Sequence, residues 1–314
     1  MRILITGVHG FVGSNMVSYL SPENEIFGLD IIAPEKEGVI KTFSWEDMDA
    51  GRIPEVDAII HLAGKAHDTK NQAAAEVYFK VNRDLTIKVF DYFCARKIKK
   101  FVFFSTAKAA ADKVEGILTE DVVPSPVGPY GESKIAAEQY IINSMRNRPD
   151  QFTHRGVYIF RPCMIHGPGN KGNLNLLYNV VRKGIPWPLG AFDNRRTFTS
   201  VENICFAVNG VLTQDVPSGI YNMGDDEALS TNELIEEICK SLGKKAHIWK
   251  LPVGLMNGMA KLGGWLHLPL NPERLRKLTE SYISSNAKIK AALGVEKMPV
   301  DARAGLRVTL QSFK

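Results

Sequence analysis

The chain has 314 residues, of which 45% are hydrophobic and 23% are charged, and its formal net charge is +5. This balance is typical of a folded globular protein with one large or two medium-sized domains, and it excludes disordered and fibrous proteins. The positive excess is small and shows no dense Lys/Arg runs with interleaved aromatics, so we expect a small anionic ligand and no nucleic-acid partner.

The first half of the chain alternates short apolar runs with longer segments of helical periodicity. Strands are predicted at residues 2–6, 25–30, 57–63, 100–106 and 156–162, and helices at residues 11–20, 71–97 and 129–147. The runs are apolar throughout, as expected for strands that are covered on both faces. This order predicts a doubly wound α/β fold, in which helices cover both faces of a parallel sheet.

A glycine-rich stretch, ITGVHGFVGSNMV, follows the first predicted strand. Gly7 permits a tight turn, Gly10 lets the backbone approach a pyrophosphate, and Gly13 lets the next helix pack closely against the strand. The helix that begins near Phe11 and Val12 then points its N-terminus at the anion. Such a stretch is a weak signal alone, but within a strand-turn-helix unit it predicts a Rossmann-type dinucleotide-binding domain.

The second predicted strand ends in Asp30, at the distance from the glycines that this fingerprint requires. Its carboxylate would accept hydrogen bonds from the ribose hydroxyls of the adenosine and repel a 2′-phosphate. Ile31 and Ile32 follow where an NADP site often offers Arg or Lys, so the predicted cofactor is NAD. The alternative is an aspartate that caps a helix after the strand.

The stretch VGPYGESKIAAEQYI places Tyr130 and Lys134 four residues apart, and hence on one face of a predicted helix. A surface Tyr/Lys pair is the simpler interpretation. Beside a nicotinamide, however, the ammonium and the positive ring would lower the pKa of Tyr130 towards that of a general base, and Lys134 would also hold the ribose. Ser105 and Thr106 end the strand FVFFST, where a third catalytic hydroxyl is expected.

After about residue 165 the pattern changes to loops rich in Gly, Pro and Asn, with a predicted helix at 231–242. This change predicts an NAD-binding Rossmann domain at residues 1–168 and a smaller substrate-binding lobe at residues 169–314. Some segments of the lobe are expected to return to the main sheet.

Residues 253–270 are apolar, but Lys261, His267, a proline and several glycines interrupt them, so stable membrane insertion is not expected. We expect a buried helix there, and a helix resting on a membrane surface is the alternative. The four cysteines are far apart and form no C-x-x-C pair, which predicts neither a zinc site nor disulfides and favours a cytoplasmic location. They are Cys94, Cys163, Cys205 and Cys239.

Taken together, these motifs resemble the extended short-chain dehydrogenase/reductase family, in particular its nucleotide-sugar epimerases and 4-ketoreductases such as UDP-glucose 4-epimerase. The resemblance runs nearly end to end. It rests on T-G-x-x-G-F-x-G at 6–13, HLAG at 61–64, VN at 81–82, the hydroxyls at 105–106, Y-x-x-x-K at 130–134, and RP followed by HGPG at 161–169.

The resemblance implies roles for individual residues. Thr106 matches the catalytic hydroxyl that bonds the reacting sugar oxygen, with Ser105 beside it, and Asn82 matches an asparagine that supports the active-site backbone. Leu62, Ala63 and Gly64 match the segment that lines the cofactor.

Further matches fall on the predicted substrate side. Asn173 matches a residue near a diphosphate, Pro188 and Leu189 match a loop against the nucleotide base, and Arg196 matches a phosphate-binding arginine. A second phosphate arginine is expected at Arg274 or Arg276, and a solvated basic helix is the alternative for these two. The implied substrate is a nucleotide-sugar, UDP-linked by resemblance, and the implied assembly is a homodimer formed by the 71–97 and 129–147 helices.

The sequence departs from the family pattern at three places, one of which is His166-Gly167-Pro168 in place of the usual Y-G-P. Ala109, Ala110 and Ala111 replace bulkier residues, which is compatible with extra room near the sugar. Ala107 and Lys108 stand where sugar 4,6-dehydratases have an acidic pair, so dehydration is not expected. His61, His67 and His166 lack ligand spacing, so no metal site is predicted.

The predicted activity is NAD(H)-dependent oxidoreduction at carbon 4 of a nucleotide-linked hexose, by a 4-ketoreductase or a 4-epimerase of surface-polysaccharide biosynthesis. The C-terminal stretches PLGAFDNRRTF and SYISSNAKIKAALGV resemble enzymes of acetamido and deoxy sugars and favour reduction. Two rivals remain: a catalytically silent dinucleotide sensor, and a reductase for a non-sugar substrate such as a steroid.

Overall fold

The computed structural model describes residues 1–66, 74–170, 172–266 and 270–314, and of Asn173 and Lys277 only the backbone. The strands are β1 Arg2–Thr6, β2 Glu25–Leu29, β3 Lys41–Phe43, β4 Ala58–His61, β5 Lys100–Phe104, β6 Ile117–Leu118, β7 Gly156–Pro162, β8 Met164–His166, β9 Arg196–Ser200, β10 Gly219–Met223, β11 Ala228–Leu229 and β12 Ile283–Ser284.

The helices lie between these strands, and a π-helical segment, Phe79–Asp84, joins α3 to α4. They are α1 Phe11–Leu20, α2 Trp45–Asp49, α3 Ala75–Tyr78, α4 Leu85–Ala95, α5 Ala107–Ala110, α6 Pro129–Asn147, α7 Pro149–Phe152, α8 Asn173–Arg182, α9 Val201–Thr213, α10 Thr231–Ser241, α11 Val253–Trp265, α12 Pro272–Thr279, α13 Ala287–Leu293 and α14 Ala302–Gln311.

The main sheet of the described residues is parallel, with strand order β10-β7-β5-β4-β1-β2-β3. The chain winds outwards from β1 in one direction and then continues from β4 in the other. Crossovers on both sides of β1 create a crevice at the carboxyl ends of β1 and β4, where such sheets bind ligands. The predicted Rossmann-type α/β fold is confirmed.

Side chains of one strand alternate between two apolar cores, one on each face of the sheet. On β1, Ile3 and Ile5 face the core formed with α1 and α9, whereas Leu4 faces the core formed with α4 and α6. All three are completely buried. This double burial explains why the predicted strands are continuously apolar.

The C-terminal residues build a third apolar core, to which α8, α10, α11 and α14 contribute. It packs beside a small sheet of order β11-β9-β8, while β6 and β12 form a separate pair. One later strand, β10, lies at the edge of the main sheet. Within the described part of the chain, no helix combines the length and apolarity needed to cross a membrane.

Candidate active site

The turn between β1 and α1 requires glycine at two positions. Gly7 has a positive φ of 69°, and a Cβ there would lie 2.9 Å from the backbone nitrogen of Ala63. A Cβ on Gly13 would lie 2.3 Å from the carbonyl oxygen of Gly7. The backbone therefore lies closer to the end of β4 and to α1 than a residue with a side chain would allow.

The first turn of α1 offers unpaired backbone donors to an anion. Gly10 is the N-cap and has no side chain to cap the helix, and the N–H groups of Phe11, Val12 and Gly13 precede the first intrahelical donor, the N–H of Ser14, which bonds the Gly10 carbonyl at 2.9 Å. A Cβ on Gly10 would lie 3.1 Å from the Gly7 carbonyl oxygen, so a larger residue would crowd this turn. These residues fit the pyrophosphate of a dinucleotide.

Asp30 follows β2 and holds the glycine-rich turn in place. Its Oδ2 accepts a hydrogen bond from the His9 N–H at 3.0 Å, and its Oδ1 accepts one from the Ile31 N–H at 2.7 Å. The next element described is β3, so Asp30 does not cap a helix, and the alternative role considered above is wrong. A carboxylate has lone pairs for further donors, such as ribose hydroxyls.

Lys36 is a nearby cation that sequence reasoning missed. Its Nζ donates to the Ser14 hydroxyl at 2.9 Å, on the first turn of α1. Ile31 and Ile32, by contrast, are exposed at 85% and 54%. Lys36 lies six residues after Asp30 in the sequence, so no motif around the aspartate predicts its contact with α1.

Two of the histidines considered as metal ligands have structural partners. His61 is fully buried between the hydroxyls of Thr6, at 2.7 Å, and Thr86, at 3.0 Å. Burial, and to a smaller extent the charge of Lys134, lowers the pKa of His61 to about 3, so it is neutral. Thr6 also accepts from the N–H of Ala63, which fixes the Leu62–Ala63 segment after β4.

His166 is buried between Thr309, at 2.9 Å, and Asp225, at 3.4 Å. His67 lies outside the described residues. Among the residues that are described, no three His, Cys, Asp or Glu side chains are grouped so that they could hold a metal ion.

Asn82, in the π-helical segment, ties the loop after β4 to α6. Its Oδ1 accepts from the N–H of Lys65 at 2.8 Å, and its Nδ2 donates to the Lys65 carbonyl at 3.1 Å and to the Ser133 hydroxyl at 3.0 Å. A buried amide satisfied in this way orients the backbone around Gly64. Departures from α-helical geometry of this kind are common at functional sites.

Thr106, Tyr130 and Lys134 meet at the carboxyl end of β5. Thr106 is buried beside the Tyr130 phenol, while the Nζ of Lys134 donates to the Phe104 carbonyl at 2.7 Å. A Cβ on Gly64 would lie 3.1 Å from that Nζ, so the lysine also closes on the loop held by Asn82. These three groups come from two segments, the end of β5 and α6, and share one edge of the sheet with the glycine-rich turn; this edge is called the catalytic edge.

Burial shifts the pKa of Tyr130 and that of Lys134 in opposite directions. Burial raises the pKa of the phenol, the hydrogen bond with Thr106 opposes this, and nearby Tyr78 adds to the increase. Burial likewise lowers the pKa of Lys134 to about 8, against the attraction of Glu138. The lowering expected from the sequence also counts the positive nicotinamide ring, so it stays a prediction for the cofactor-bound protein.

A buried ion pair beneath these groups was not predicted. Glu138 accepts hydrogen bonds from Arg161 Nε, at 3.0 and 3.1 Å, and from Arg161 Nη2, at 2.5 Å. The Ser105 hydroxyl also donates to Glu138, so Ser105 positions the end of β5 and does not face a substrate. Two features of the sequence could have indicated this ion pair. Glu138 is four residues after Lys134 on a buried face of α6, and Arg161 lies within the apolar strand β7.

The predicted substrate residues fall into two groups. Leu189 is 4% exposed and packs in the third core, so the loop after α8 can offer a ligand only its backbone and its neighbours, such as half-buried Pro188. Asn173 begins α8, but its side chain lies outside the described residues.

The arginines make up the second group of predicted substrate residues. Arg196 begins β9, and its Nε donates to the Glu280 carbonyl at 2.9 Å beyond α12. On α12, Arg274 is exposed, while Arg276 reaches to 3.9 Å from Asp112. Asp112 also pairs with Lys108 at 2.9 Å, and Lys108 is two residues after Thr106 in the chain. Arg276 therefore lies close to the catalytic edge.

The alanines after Thr106 do not enlarge the site. Ala110 and Ala111 pack with Leu118 in a small apolar cluster, which Tyr282 closes by donating its hydroxyl hydrogen to the Ala111 carbonyl at 2.9 Å. Ala109 is completely buried. The expectation of extra room is wrong, because aromatic and aliphatic side chains from elsewhere fill the space.

We expect Glu138→Gln to destabilise the protein by about 3–5 kcal/mol, because it leaves the Arg161 guanidinium buried without its charge partner. Chemical denaturation measures this loss. Glu132→Gln, at an exposed position of the same helix, is the matched control and should change stability by less than about 0.5 kcal/mol. Equal, small effects of both substitutions would contradict the role assigned to the pair.

Comparisons with known proteins point to one enzyme family. The family model described as "NAD dependent epimerase/dehydratase family" matches residues 3–224. UDP-glucose 4-epimerase of Vibrio cholerae is 28% identical over 99% of this chain and 95% of its own length. N-acetyl-alpha-D-glucosaminyl-diphospho-ditrans,octacis-undecaprenol 4-epimerase of Escherichia coli O157:H7 is 27% identical over 92% and 84%.

The fold comparison points to the same group. The structure of UDP-glucuronic acid 4-epimerase from Bacillus cereus in complex with NAD superposes with a TM-score of 0.76, at 20% identity, over 100% of this chain and 96% of that one. This likeness shows the fold, and the match of the family model over residues 3–224 shows the family. The resemblance noted in the sequence is confirmed, and the chain belongs to the NAD dependent epimerase/dehydratase family.

Proposed function

We propose that the protein catalyses NAD(H)-dependent oxidoreduction at carbon 4 of a hexose linked to a nucleoside diphosphate. The observation that carries this proposal is the meeting of Thr106, Tyr130 and Lys134 at the sheet edge that also holds the glycine-rich turn. A proton-transferring phenol beside a dinucleotide site is the arrangement that alcohol and carbonyl interconversion requires.

Each residue has a distinct task in this proposal. The Tyr130 hydroxyl exchanges a proton with the 4-oxygen of the sugar, and the Thr106 hydroxyl holds that oxygen through a hydrogen bond. Lys134, anchored on the Phe104 carbonyl, supplies a positive charge that stabilises the tyrosinate formed when the proton leaves. The bound nicotinamide supplies or accepts the hydride.

A diphosphate-linked substrate is supported by two arginines of the C-terminal part of the chain. Arg196 reaches the Glu280 carbonyl and Arg276 reaches Asp112 near Thr106, and guanidinium groups bind phosphate in a bidentate manner. We propose a UDP-linked sugar because the relatives from Vibrio cholerae and Bacillus cereus are named for UDP-sugars. Arg274 and Asn173 are proposed as further contacts of the diphosphate.

Dehydration is not proposed, because Ala107 and Lys108 replace the acidic pair needed to remove water. A silent dinucleotide sensor has no use for the three catalytic groups in contact. A non-sugar substrate, such as a steroid, has no use for the guanidinium groups of Arg196 and Arg276. Four free thiols, three of them buried, are compatible with a reducing cytoplasm.

Epimerisation and reduction at carbon 4 use the same three residues. The resemblance of the C-terminal stretches supports reduction, whereas the reported relatives are named as 4-epimerases. We therefore propose a 4-ketoreductase as the first candidate and a 4-epimerase as the second.

A direct assay decides between the two. A reductase consumes one NADH for each 4-keto UDP-sugar, in a reaction followed by absorbance and mass spectrometry. An epimerase interconverts two 4-epimeric UDP-sugars without added cofactor. The absence of both activities across nucleotide-linked hexoses would contradict the proposal.

Tyr130→Phe should lower turnover by roughly 10²-fold or more, because it removes the proton that is exchanged, and should leave NAD(H) affinity within a few-fold. Steady-state kinetics and cofactor titration measure the two effects. Tyr140→Phe is the control, since it removes a hydroxyl on the same helix that bonds Asp91 at 2.7 Å, away from the catalytic edge. Near wild-type turnover in Tyr130→Phe would refute the assignment.

Asp30→Ala should narrow the preference of the protein for NAD(H) over NADP(H), because it removes the charge that repels a 2′-phosphate. Fluorescence titration with both cofactors measures the ratio of affinities. Asp30→Asn removes the charge but keeps one acceptor for the glycine-rich turn, so it separates repulsion from loop anchoring. Tighter binding of NADP(H) by the unmodified protein would overturn the cofactor assignment.

We also propose a homodimer that pairs the helices α4 and α6 of two chains. Phe90, Ile135 and Ile141 are buried within the protomer, so the support comes from partly buried Ile87 and Ile142. Light scattering at micromolar concentration should give twice the mass of 34.8 kDa. A monomer under these conditions would contradict the proposal.

A further inference from the structure

Helix α11 is apolar on two faces, and only one of them is covered. Met256, Ala260 and Gly263, spaced i, i+4, i+7, point inwards and are buried, with Met256 and Ala260 in the third core. A second stripe follows the spacing i, i+4, i+7, i+11 and lies along one outward line of the helix. It consists of Leu255, Met259, Leu262 and Leu266, which are 52%, 47%, 55% and 49% exposed.

Two tryptophans extend this outward stripe at its ends. Trp265 ends the helix and is 76% exposed, and Trp249, four residues before α11, is 55% exposed. The backbone of Trp249 is held by hydrogen bonds with Trp187 and Gly190, so its position is fixed. Indole rings with an apolar body and a polar N–H are enriched where membrane meets water.

The positive charge of the protein lies around the same helix. Residues 244–280 contain seven Lys or Arg and two Asp or Glu, whereas the rest of the chain contains 32 of each. The segment therefore accounts for the whole net charge of +5. Lys250, before α11, and Lys261, within it, are exposed. An exposed apolar stripe on a helix with exposed lysines complements an anionic, partly apolar surface.

We propose that α11, with Trp249 and Trp265, docks the protein on the surface of a bilayer that contains anionic lipids. The helix has 13 residues and is about 20 Å long, too short for a hydrocarbon core of about 30 Å, so it lies in the interface. A second copy of the chain is a poorer partner, because a two-fold contact would bring the basic segments of both copies together.

Docking in this way would bring the catalytic edge close to the lipid headgroups. Helix α11 packs on α12, where a Cβ on Gly264 would lie 3.1 Å from the Pro272 ring. On α12, Arg276 reaches Asp112, near Thr106. Helix α12, which carries Arg276, therefore lies between the catalytic edge and the membrane surface. Membrane docking does not depend on which sugar reaction takes place.

Co-sedimentation of the full-length protein with vesicles tests the proposal. We expect binding to phosphatidylcholine vesicles that contain about 30 mol% phosphatidylglycerol, and weaker binding to phosphatidylcholine alone or when NaCl rises from about 0.1 to about 0.5 M. Binding should shift the tryptophan emission to shorter wavelength, and Trp265→Phe should reduce that shift.

The double variant Leu255→Ser/Leu262→Ser should lower the affinity for vesicles roughly tenfold, because both side chains would otherwise enter the interface. Val123→Ser/Val127→Ser removes two apolar side chains that are 84% and 71% exposed elsewhere, and should leave binding unchanged. No binding to anionic vesicles, or equal binding by both double variants, would overturn the proposal. A change of oligomeric state in Leu255→Ser/Leu262→Ser would also overturn it, by assigning the stripe to a second copy.

Discussion

The geometry of the catalytic edge depends on the buried ion pair between Arg161 and Glu138. Neither charge can return to water without unfolding the region, so each keeps the other in place and α6 is fixed over β7. Because Ser105 donates to the same carboxylate, the end of β5 is fixed by the same group. Tyr130 and Lys134 project from α6, and Thr106 follows Ser105, so one ion pair helps to position all three residues that we propose as catalytic.

The sequence was sufficient for those parts of the fold that local pattern controls. Continuous apolar runs gave the strands, and the glycines at positions 7 and 13 are required by contacts that the spacing anticipated. The helical face that joins Tyr130 to Lys134 follows from the period of the helix. In each case the physical cause lies within a few residues of the signal, or in the regular order of strands.

What the sequence missed depends on long-range packing. Glu138 and Arg161 are 23 residues apart, and nothing local shows that they pair. The alanines after Thr106 suggested space, but Tyr282 and Leu118 fill it from distant parts of the chain. The sequence also could not show that burial raises the pKa of Tyr130, because the degree of burial is a property of the assembled fold.

The π-helical segment before α4 has a consequence for how this chain can vary in length. A π turn carries one more residue than an α turn, so losing one residue from Phe79–Asp84 would restore ordinary helical geometry. It would also redistribute the remaining residues of the segment around the helix axis. The amide of Asn82 would then turn away from Lys65 and Ser133, although neither partner had changed. The number of residues in this segment is therefore constrained as well as their identity. We expect relatives in which an asparagine makes these hydrogen bonds to tolerate substitutions around Asn82 more readily than deletions.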